Sequence, residues 1–283
     1  MSVSRPARGG KHSFGIRFQM QRLMGEVISC AGIAPRTFLL WIEAPAIARL
    51  SEPGQFVTLA CGDEALLRRP FSVHDADSNR IAILFSVVGK GTLWLSHRRP
   101  GDSLDILGPL GNGFAIDSRS RNLLLVAGGI GIAPLVFLAR RASRDGLSVK
   151  IIFGAASASH LLPLPSDVDA LMVTEDGSMG RKGLATDFLP ELAEWADEIF
   201  ACGPIPMYRT MARMIRHHSG KRVQVLLEQV MGCGIGACRG CSIPTRGGMK
   251  TVCRDGPVFD LEEIIWEGVP EAGVLRFTEL DSA

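Results

Sequence analysis

The sequence predicts a multi-domain β plus α/β chain: an antiparallel β-barrel, then a parallel-sheet α/β domain, then a small cysteine module. Three observations predict it. Short β-rich runs with turn signals fill the region from about Met20 to Leu107, strands then alternate with helices, and four cysteines crowd the C-terminal part. The boundaries expected are a flexible leader over 1–19, the barrel over 20–117, the α/β domain over 118–222 and the cysteine module over 223–283. A chain of 283 residues can give two domains a core each and still carry a small third one.

In the first region the extended runs are Gly25 to Ser29, Thr37 to Ile42, Gln55 to Ala60, Phe71 to Val73, Ile81 to Val88 and Ser103 to Leu107. Ala34-Pro35, Pro53-Gly54, Asp75 to Asn79 and Pro100-Gly101 separate them. Short strands at this spacing suit a small antiparallel barrel. Arg69-Pro70-Phe71-Ser72 lies on one of them, and strand alternation sends Arg69 and Phe71 to one side and Ser72 to the other. Alone, the tetrapeptide reads as a surface arginine beside a core phenylalanine. Val87 to Thr92, reading VVGKGT, opens a helical stretch from Leu93 to Arg98. Glycines at a helix start leave N–H groups free for an anion; the segment equally fits an ordinary glycine turn.

After Gly108-Pro109 the pattern changes. Asn122 to Ala127 is a continuous apolar run suited to a buried parallel strand, followed by Gly128-Gly129-Ile130-Gly131-Ile132-Ala133-Pro134 and a helical stretch from Pro134 to Arg144. Strand signals recur at Val149 to Phe153, Ala170 to Val173 and Glu198 to Ala201, with helical stretches at Leu184 to Glu194 and Ile205 to His217. Such alternation means a parallel sheet, and the glycine turn after its first strand is where a doubly wound fold binds a nucleotide. Proline in the first helical turn lacks only an N–H that has no partner there. The pattern is G-x-G-x-x-P, whereas the usual fingerprint ends in glycine or alanine and places an acid after the second strand. Here that strand runs into Phe153-Gly154-Ala155-Ala156-Ser157, so the fingerprint is partly met. Cys202-Gly203-Pro204 closes a later strand, where a thiol could touch a nicotinamide ring or be a buried cysteine before a turn.

Beyond Val223 to Leu227 come Cys233, Cys238, Cys241 and Cys253, spaced C-x4-C-x2-C-x11-C. The C-x4-C-x2-C run is the plant-type spacing for a [2Fe-2S] cluster. Gly232, Gly234, Gly236 and Gly240 let this loop bend and bring N–H groups to the sulfurs. A structural zinc site is the competing reading, but it favours two short C-x2-C knuckles. The final stretch, Val258 to Leu280, has no clear period.

Hydrophobic residues make 46% of the chain and charged residues 21%, as in globular proteins, and a net charge of +2 without a basic tract excludes a nucleic-acid partner. The longest apolar run, Leu123 to Ala139, is broken by glycines and a proline and falls short of a bilayer span. Met1 to Lys11 has no apolar stretch of signal-peptide length. Crowded thiolates need a reducing compartment, so a cytoplasmic protein is expected. Cys30 and Cys61 read as small buried hydrophobes, and His74, His97, His160, His217 and His218 as surface or loop residues.

Taken in order, Pro53 to Val57 (PGQFV), Arg69 to Ser72, Gly89-Lys90-Gly91-Thr92, Gly108-Pro109-Leu110-Gly111, Gly129 to Pro134 and Cys202-Gly203-Pro204 make the chain after about residue 20 similar to the ferredoxin-reductase-like flavoproteins. In that family the barrel binds FAD and the α/β domain binds NAD(P). Met231 to Cys241 (MGCGIGACRGC), Val252 to Phe259 (VCRDGPVF) and Gly108 to Phe114 (GPLGNGF) narrow the likeness. With them the chain resembles the electron-transfer subunits of class 1B dihydroorotate dehydrogenases.

The resemblance implies roles. Arg69, Pro70, Phe71 and Ser72 would meet FAD: Arg69 neutralising its pyrophosphate, Phe71 beside the flavin, Ser72 near its reactive nitrogen. The family often has tyrosine where Phe71 stands. Gly91 and Thr92 would hold the pyrophosphate from the other side, and Leu84, Phe85 and Ser86 would line the cofactor. Gly129, Gly131, Pro134, Cys202 and Gly203 would frame the nicotinamide nucleotide. NAD is expected over NADP, because no arginine lies between Ala155 and His160 for a 2′-phosphate, although Arg181 and Lys182 are within reach in sequence. A partner catalytic subunit, in a heterotetramer, would oxidise dihydroorotate to orotate on FMN for pyrimidine biosynthesis. Electrons would then pass singly through the cluster to FAD and on to NAD+ as a hydride. Two alternatives stand: the same cofactors serving another partner, such as a hydrogenase, a glutamate-synthase-like subunit or a ferredoxin, and a zinc-bearing scaffold subunit. Related bifurcating transhydrogenase subunits carry aspartate where this chain has Cys233.

Overall fold

The computed structural model describes residues 20–62, 65–166, 168–215 and 221–270. The expected leader, His217, His218 and the end of the stretch running to Leu280 lie outside them.

The first region is a closed barrel of β1 (Gln21–Ala34), β2 (Thr37–Glu43), β3 (Phe56–Leu59), β4 (Arg69–Ala76), β5 (Arg80–Ser86) and β6 (Ser103–Leu110), in the order β1-β2-β5-β4-β3-β6. All neighbouring strands run antiparallel. The period-two pattern closes it: in β6, Leu104 and Ile106 point inward, meeting Val27, Leu40, Val57, Leu59 and Ile83. β1 is much longer than its apolar run because it pairs with both β2 and β6, bending at two bulges near Val27 and Gly32. Two short helices, α1 (Pro45–Ala48) and α2 (Lys90–Ser96), fill the connections.

The second region is built on β7 (Asn122–Gly128), α3 (Ile132–Arg144), β8 (Ser148–Ala155), β9 (Asp169–Thr174), β10 (Arg181–Lys182), α4 (Leu189–Ala193), β11 (Glu198–Cys202), α5 (Ile205–Ile215) and β12 (Arg222–Leu226). Leu123 to Ala127 are fully buried, as a central strand covered on both faces requires. The helical stretch expected over Leu184 to Glu194 divides into a 3-10 turn, Ala185–Phe188, and α4. Pro190 has no N–H to bond back to the carbonyl of Thr186, so a single helix cannot run through.

The third region does not stand apart. It contributes a hairpin of β13 (Ser242–Thr245) and β14 (Gly248–Thr251), a turn of helix α6 (Val252–Asp255), and β15 (Val258–Asp260). β15 pairs antiparallel with β12, giving one sheet in the order β10-β9-β8-β7-β11-β12-β15. The strand assigned from sequence to the start of the cysteine module thus lies inside the parallel sheet, and the module returns to that sheet's edge. Strand pairing between distant segments leaves no local trace in either one.

Candidate functional site

Three places carry the sequence-marked residues. On the barrel, Arg68 and Arg69 have different surroundings. Arg68 is committed: its guanidinium bonds Asp105 at 2.8 Å and the Thr58 carbonyl at 3.1 Å. Arg22 and Arg68 together hold the Asp105 carboxyl down at about 2. Arg69 has no carboxylate partner among the described residues and lies over the start of α2, where a Cβ on Gly91 would come 3.3 Å from its Nε. Among the described residues its side chain bonds only the Leu67 carbonyl, at 3.0 Å. The Thr92 hydroxyl is occupied, accepting from the N–H groups of Val88 (2.8 Å) and Gly89 (3.1 Å). What faces Arg69 is therefore backbone: the first N–H groups of α2, which have no partner within the helix. A guanidinium beside unpaired N–H groups and a Cβ-free approach fits a diphosphate.

Phe71 is half-buried, its ring edge-on to Phe85 at 5.8 Å, and Ser72 is half-buried opposite Phe56. Phe85 is 3% exposed and belongs to the barrel interior, and Leu84, 6% exposed, packs with the α/β domain beside Ile132 and Ala133. The Ser86 hydroxyl shares a hydrogen bond with Thr37, at 3.2 Å.

The second place is a cleft of about 910 Å³ across the carboxyl ends of β7, β8, β9 and β11. Gly129, Gly131 and Gly203 border it; Pro134 and Cys202 are buried beneath it. A Cβ on Gly131 would lie 2.2 Å from the Cys202 carbonyl oxygen, so glycine is what lets the turn press against the end of β11. Cys202 is 1% exposed, and its thiol is raised well above its ordinary value by burial and by the nearby Glu228. Beside it Tyr208 accepts from the Gly203 N–H (2.8 Å) and donates to the Leu226 carbonyl (2.5 Å). Arg181 is held by Glu191 at 2.8 Å and lies over Phe188, and the cleft lining contains no arginine or lysine. It contains two carboxylates that sequence reasoning passed over, Glu175 after β9 and Glu228 after β12. Their signal was positional: Glu175 directly follows β9 and Glu228 stands two residues past the end of β12.

His74 was also misplaced. It is 8% exposed in β4, and its Nδ1 bonds the Ala133 carbonyl in α3 at 2.8 Å. Next to it Asp75 pairs with Arg140 of the same helix. These contacts fix β4, the strand of Arg69 to Ser72, to the helix that follows the glycine turn. His97 and His160 are exposed, as expected.

The third place is the cysteine loop. Its thiols form two pairs: the Cys238 N–H reaches the Cys233 sulfur at 3.4 Å, and the Cys253 N–H reaches the Cys241 sulfur at 3.4 Å. Gly236 donates to Cys253 at 3.1 Å, and Ile235 to Cys233 at 3.5 Å. Burial pushes the Cys233 thiol up, but the N–H groups of Cys238 and Ile235 outweigh it and hold the thiol at about 6. Burial and the neighbouring Cys241 push Cys253 up to about 12. Two thiol pairs bathed in N–H donors suit a two-iron cluster, with two thiolates for each iron. Cys241 and Cys253 are buried, Cys233 is partly so, and Cys238 is exposed.

The loop is seated on the barrel. A Cβ on Gly234 would stand 3.1 Å from Thr58 Cγ2, and Cys241 and Cys253 share an apolar cluster with Phe56 and Leu110. Thr58 pairs across the sheet with Pro70, so the cysteines lie one strand away from Arg69 to Ser72. Asn112 completes the seat by donating to the carbonyls of Arg254 and Asp255, both at 3.1 Å.

Residues 228–265 match the family described as the iron-sulfur cluster binding domain of dihydroorotate dehydrogenase B. Over 256 residues the chain is 36% identical to the dihydroorotate dehydrogenase B (NAD(+)) electron transfer subunit of Desulforamulus reducens, covering 86% of this chain and 97% of that one. It belongs to this family of electron transfer subunits. The subunit of Clostridium acetobutylicum is 41% identical over 215 residues, 75% of this chain and 86% of its own. Among solved structures, that of an NADH-dependent reduced ferredoxin-NADP oxidoreductase, described for flavin-based electron bifurcation, superimposes with a TM-score of 0.78 at 31% identity, covering 86% of this chain and 90% of that one. Phthalate dioxygenase reductase shares the fold, with a TM-score of 0.61 at 20% identity over 82% of this chain and 77% of its own. No helix among the described residues is long and apolar enough to cross a membrane.

Proposed function

We propose that this dihydroorotate dehydrogenase B-type subunit carries electrons between a catalytic, FMN-containing dihydroorotate dehydrogenase subunit and NAD+, in the reducing environment of the cytoplasm. One observation carries the reading: the cysteine loop sits on β3, the flavin-side strand β4 is its neighbour, and β4 is bonded to the helix that starts at the nucleotide cleft. The three places form a line. When bound, a [2Fe-2S] cluster exchanges single electrons, FAD one or two, and nicotinamide a hydride, which is the conversion such a line needs.

The residues then have separate tasks. Arg69 and the N–H groups at the start of α2, Gly91 and Thr92 among them, hold the FAD pyrophosphate. Pro70, Phe71 and Ser72 would meet the flavin, with Leu84, Phe85 and Ser86 on the neighbouring strand β5. Gly129, Gly131 and Gly203 let the nucleotide approach the backbone, while Pro134 and Cys202 support that floor from below. Cys233, Cys238, Cys241 and Cys253 hold the cluster, and the exposure of Cys238 turns that edge outward to the catalytic subunit.

Co-purification with the catalytic subunit, followed by assay of dihydroorotate-dependent NAD+ reduction, tests this. The expected result is coupled turnover from a brown-yellow complex holding two irons and one FAD per copy of this chain. A flavin- and iron-bearing complex without that activity would transfer the chain to another electron partner; a colourless chain holding zinc would end the electron-transfer reading.

A further inference from the structure

The ladder between β11 and β12 ends at the pair Cys202 and Leu226. One step further, the Gly203 N–H and the Leu226 carbonyl are joined through the hydroxyl of Tyr208, in the first turn of α5. That hydroxyl accepts from the N–H at 2.8 Å and donates to the carbonyl at 2.5 Å. Parallel strands bond such groups directly for as long as they continue. Here a side-chain oxygen takes the place of the next rung and satisfies both groups.

Gly203 is where the two turns that border the cleft meet. A Cβ on Gly131 would lie 2.2 Å from the Cys202 carbonyl oxygen and 2.8 Å from the Gly203 nitrogen, and one on Gly128 would lie 3.5 Å from the Gly203 Cα. The turn after β7 and the turn after β11 therefore touch backbone to backbone, with no side chain between them to absorb a shift. Gly128, Gly131 and Gly203 all line the cleft. Cys202 shares an apolar cluster with Leu84 of β5, which puts this corner on the barrel side.

Tyr208 is the only tyrosine of the chain. It is fully buried, lies outside the cleft lining, and is backed by Trp266, whose ring centroid is 5.4 Å away. A phenylalanine would fill the same space, so the packing of the ring does not call for the oxygen. The bridge between Gly203 and Leu226 does.

Resting on the function proposed above, we propose that Tyr208 is a positioning residue for hydride transfer: through Gly203 it sets the floor on which the nicotinamide end of the nucleotide rests, without touching the nucleotide. A hydride, two electrons with one proton, passes between nicotinamide and flavin only over a short and aligned gap. A small displacement of the floor slows that transfer more than it weakens binding. The adenosine end, seated elsewhere in the cleft, does not feel it.

The FAD-loaded protein, its Tyr208→Phe variant and a Trp266→Phe control test this. Stopped-flow bleaching of the flavin over a range of NADH concentrations separates the saturating rate from half-saturation. ADP-ribose titration reports the cleft without the nicotinamide, and hydrogen-deuterium exchange in peptides spanning 199–207 reports the Gly203 N–H. Tyr208→Phe is expected to lower the saturating rate about 10-fold, to speed that exchange about 5- to 10-fold, and to leave ADP-ribose affinity within about 2-fold. Trp266→Phe disturbs the ring and spares the hydroxyl, so it is expected to lower the melting temperature and keep the rate. An unchanged saturating rate in Tyr208→Phe, or an equal fall in Trp266→Phe, overturns the proposal. So does a loss of ADP-ribose binding as large as the loss of rate, or a Tyr208→Phe chain too unstable to hold FAD, since the oxygen would then serve the fold as a whole. If NADH does not bleach the flavin of the wild-type protein, the electron-transfer reading itself fails, a result distinct from an insensitive Tyr208.

Discussion

His74 shows how one side chain links a strand to a helix and makes the join sensitive to pH. Burial lowers its pKa from the usual 6.5, and Arg140 adds to this, while the Ala133 carbonyl and Asp75 oppose. The unfolded chain therefore binds the proton more readily than the folded one. Stability from a neutral His74 is fully present above about pH 6.5 and drains away as the pH falls toward the lower folded value, by up to ~1.4 kcal/mol per pH unit. His74→Asn, which can still donate to Ala133, is expected to flatten that part of the profile; melting curves at pH 7.5 and 5.5 measure it, and equal losses in both proteins would discard the assignment. Glu175 poses a separate question of charge. It lines the cleft at the end of β9 while Arg181 is held by Glu191, so the 2′-phosphate of an NADP whose adenosine lay at this end would meet a carboxylate and no free guanidinium from that loop. Glu175→Ser is expected to raise NADP+ affinity by about 10-fold and to leave NAD+ within a factor of a few. Titration with both nucleotides decides, and unchanged discrimination would point to another residue.

Among the elements, the turn between β7 and α3 was legible because its glycines are spaced for a job that backbone contacts define. Gly131→Ala would drive a Cβ to 2.2 Å from the Cys202 carbonyl, against backbone that cannot rotate away. It is expected to cost about 1–3 kcal/mol, whereas Gly129→Ala meets only the penalty of φ +56° in open space, about 1–2 kcal/mol. Melting temperatures separate them: the first should lose more stability than the second, and the reverse order would refute the packing account. The six barrel strands and the parallel strands could be read because period-two alternation and continuous apolar runs are local properties. The membership of β12 and β15 in one sheet could not, since it depends on how the cysteine region folds back. Nor was the acid at the cleft found where the usual fingerprint puts it, after β8; this sheet supplies it after β9. The cysteine module was legible from spacing alone, but its seat on Thr58 and Asn112 joins residues more than 100 positions apart.

At the scale of the whole molecule, the cysteine loop is seated on β3 of the barrel, and the cleft opens at the carboxyl ends of the parallel strands. That arrangement makes the two halves of the electron path separable. The cysteine loop is anchored by Gly234 against Thr58, by Asn112 on the carbonyls of Arg254 and Asp255, and by β15 in the sheet, and none of these contacts uses Cys238. Removing that exposed thiol takes away one proposed cluster ligand and leaves the barrel, the Arg69 site and the cleft in place. Cys238→Ala is therefore expected to retain flavin bleaching by NADH at near the normal rate while losing nearly all dihydroorotate-dependent NAD+ reduction when assembled with the catalytic subunit. Stopped-flow absorbance of the isolated variant reads the first half, and the coupled assay of the assembled complex reads the second. Loss of both would mean that the cysteine loop also holds the flavin site together, contrary to the contacts that seat it independently. Normal coupled turnover would mean that electrons reach the flavin without passing the thiol-lined edge.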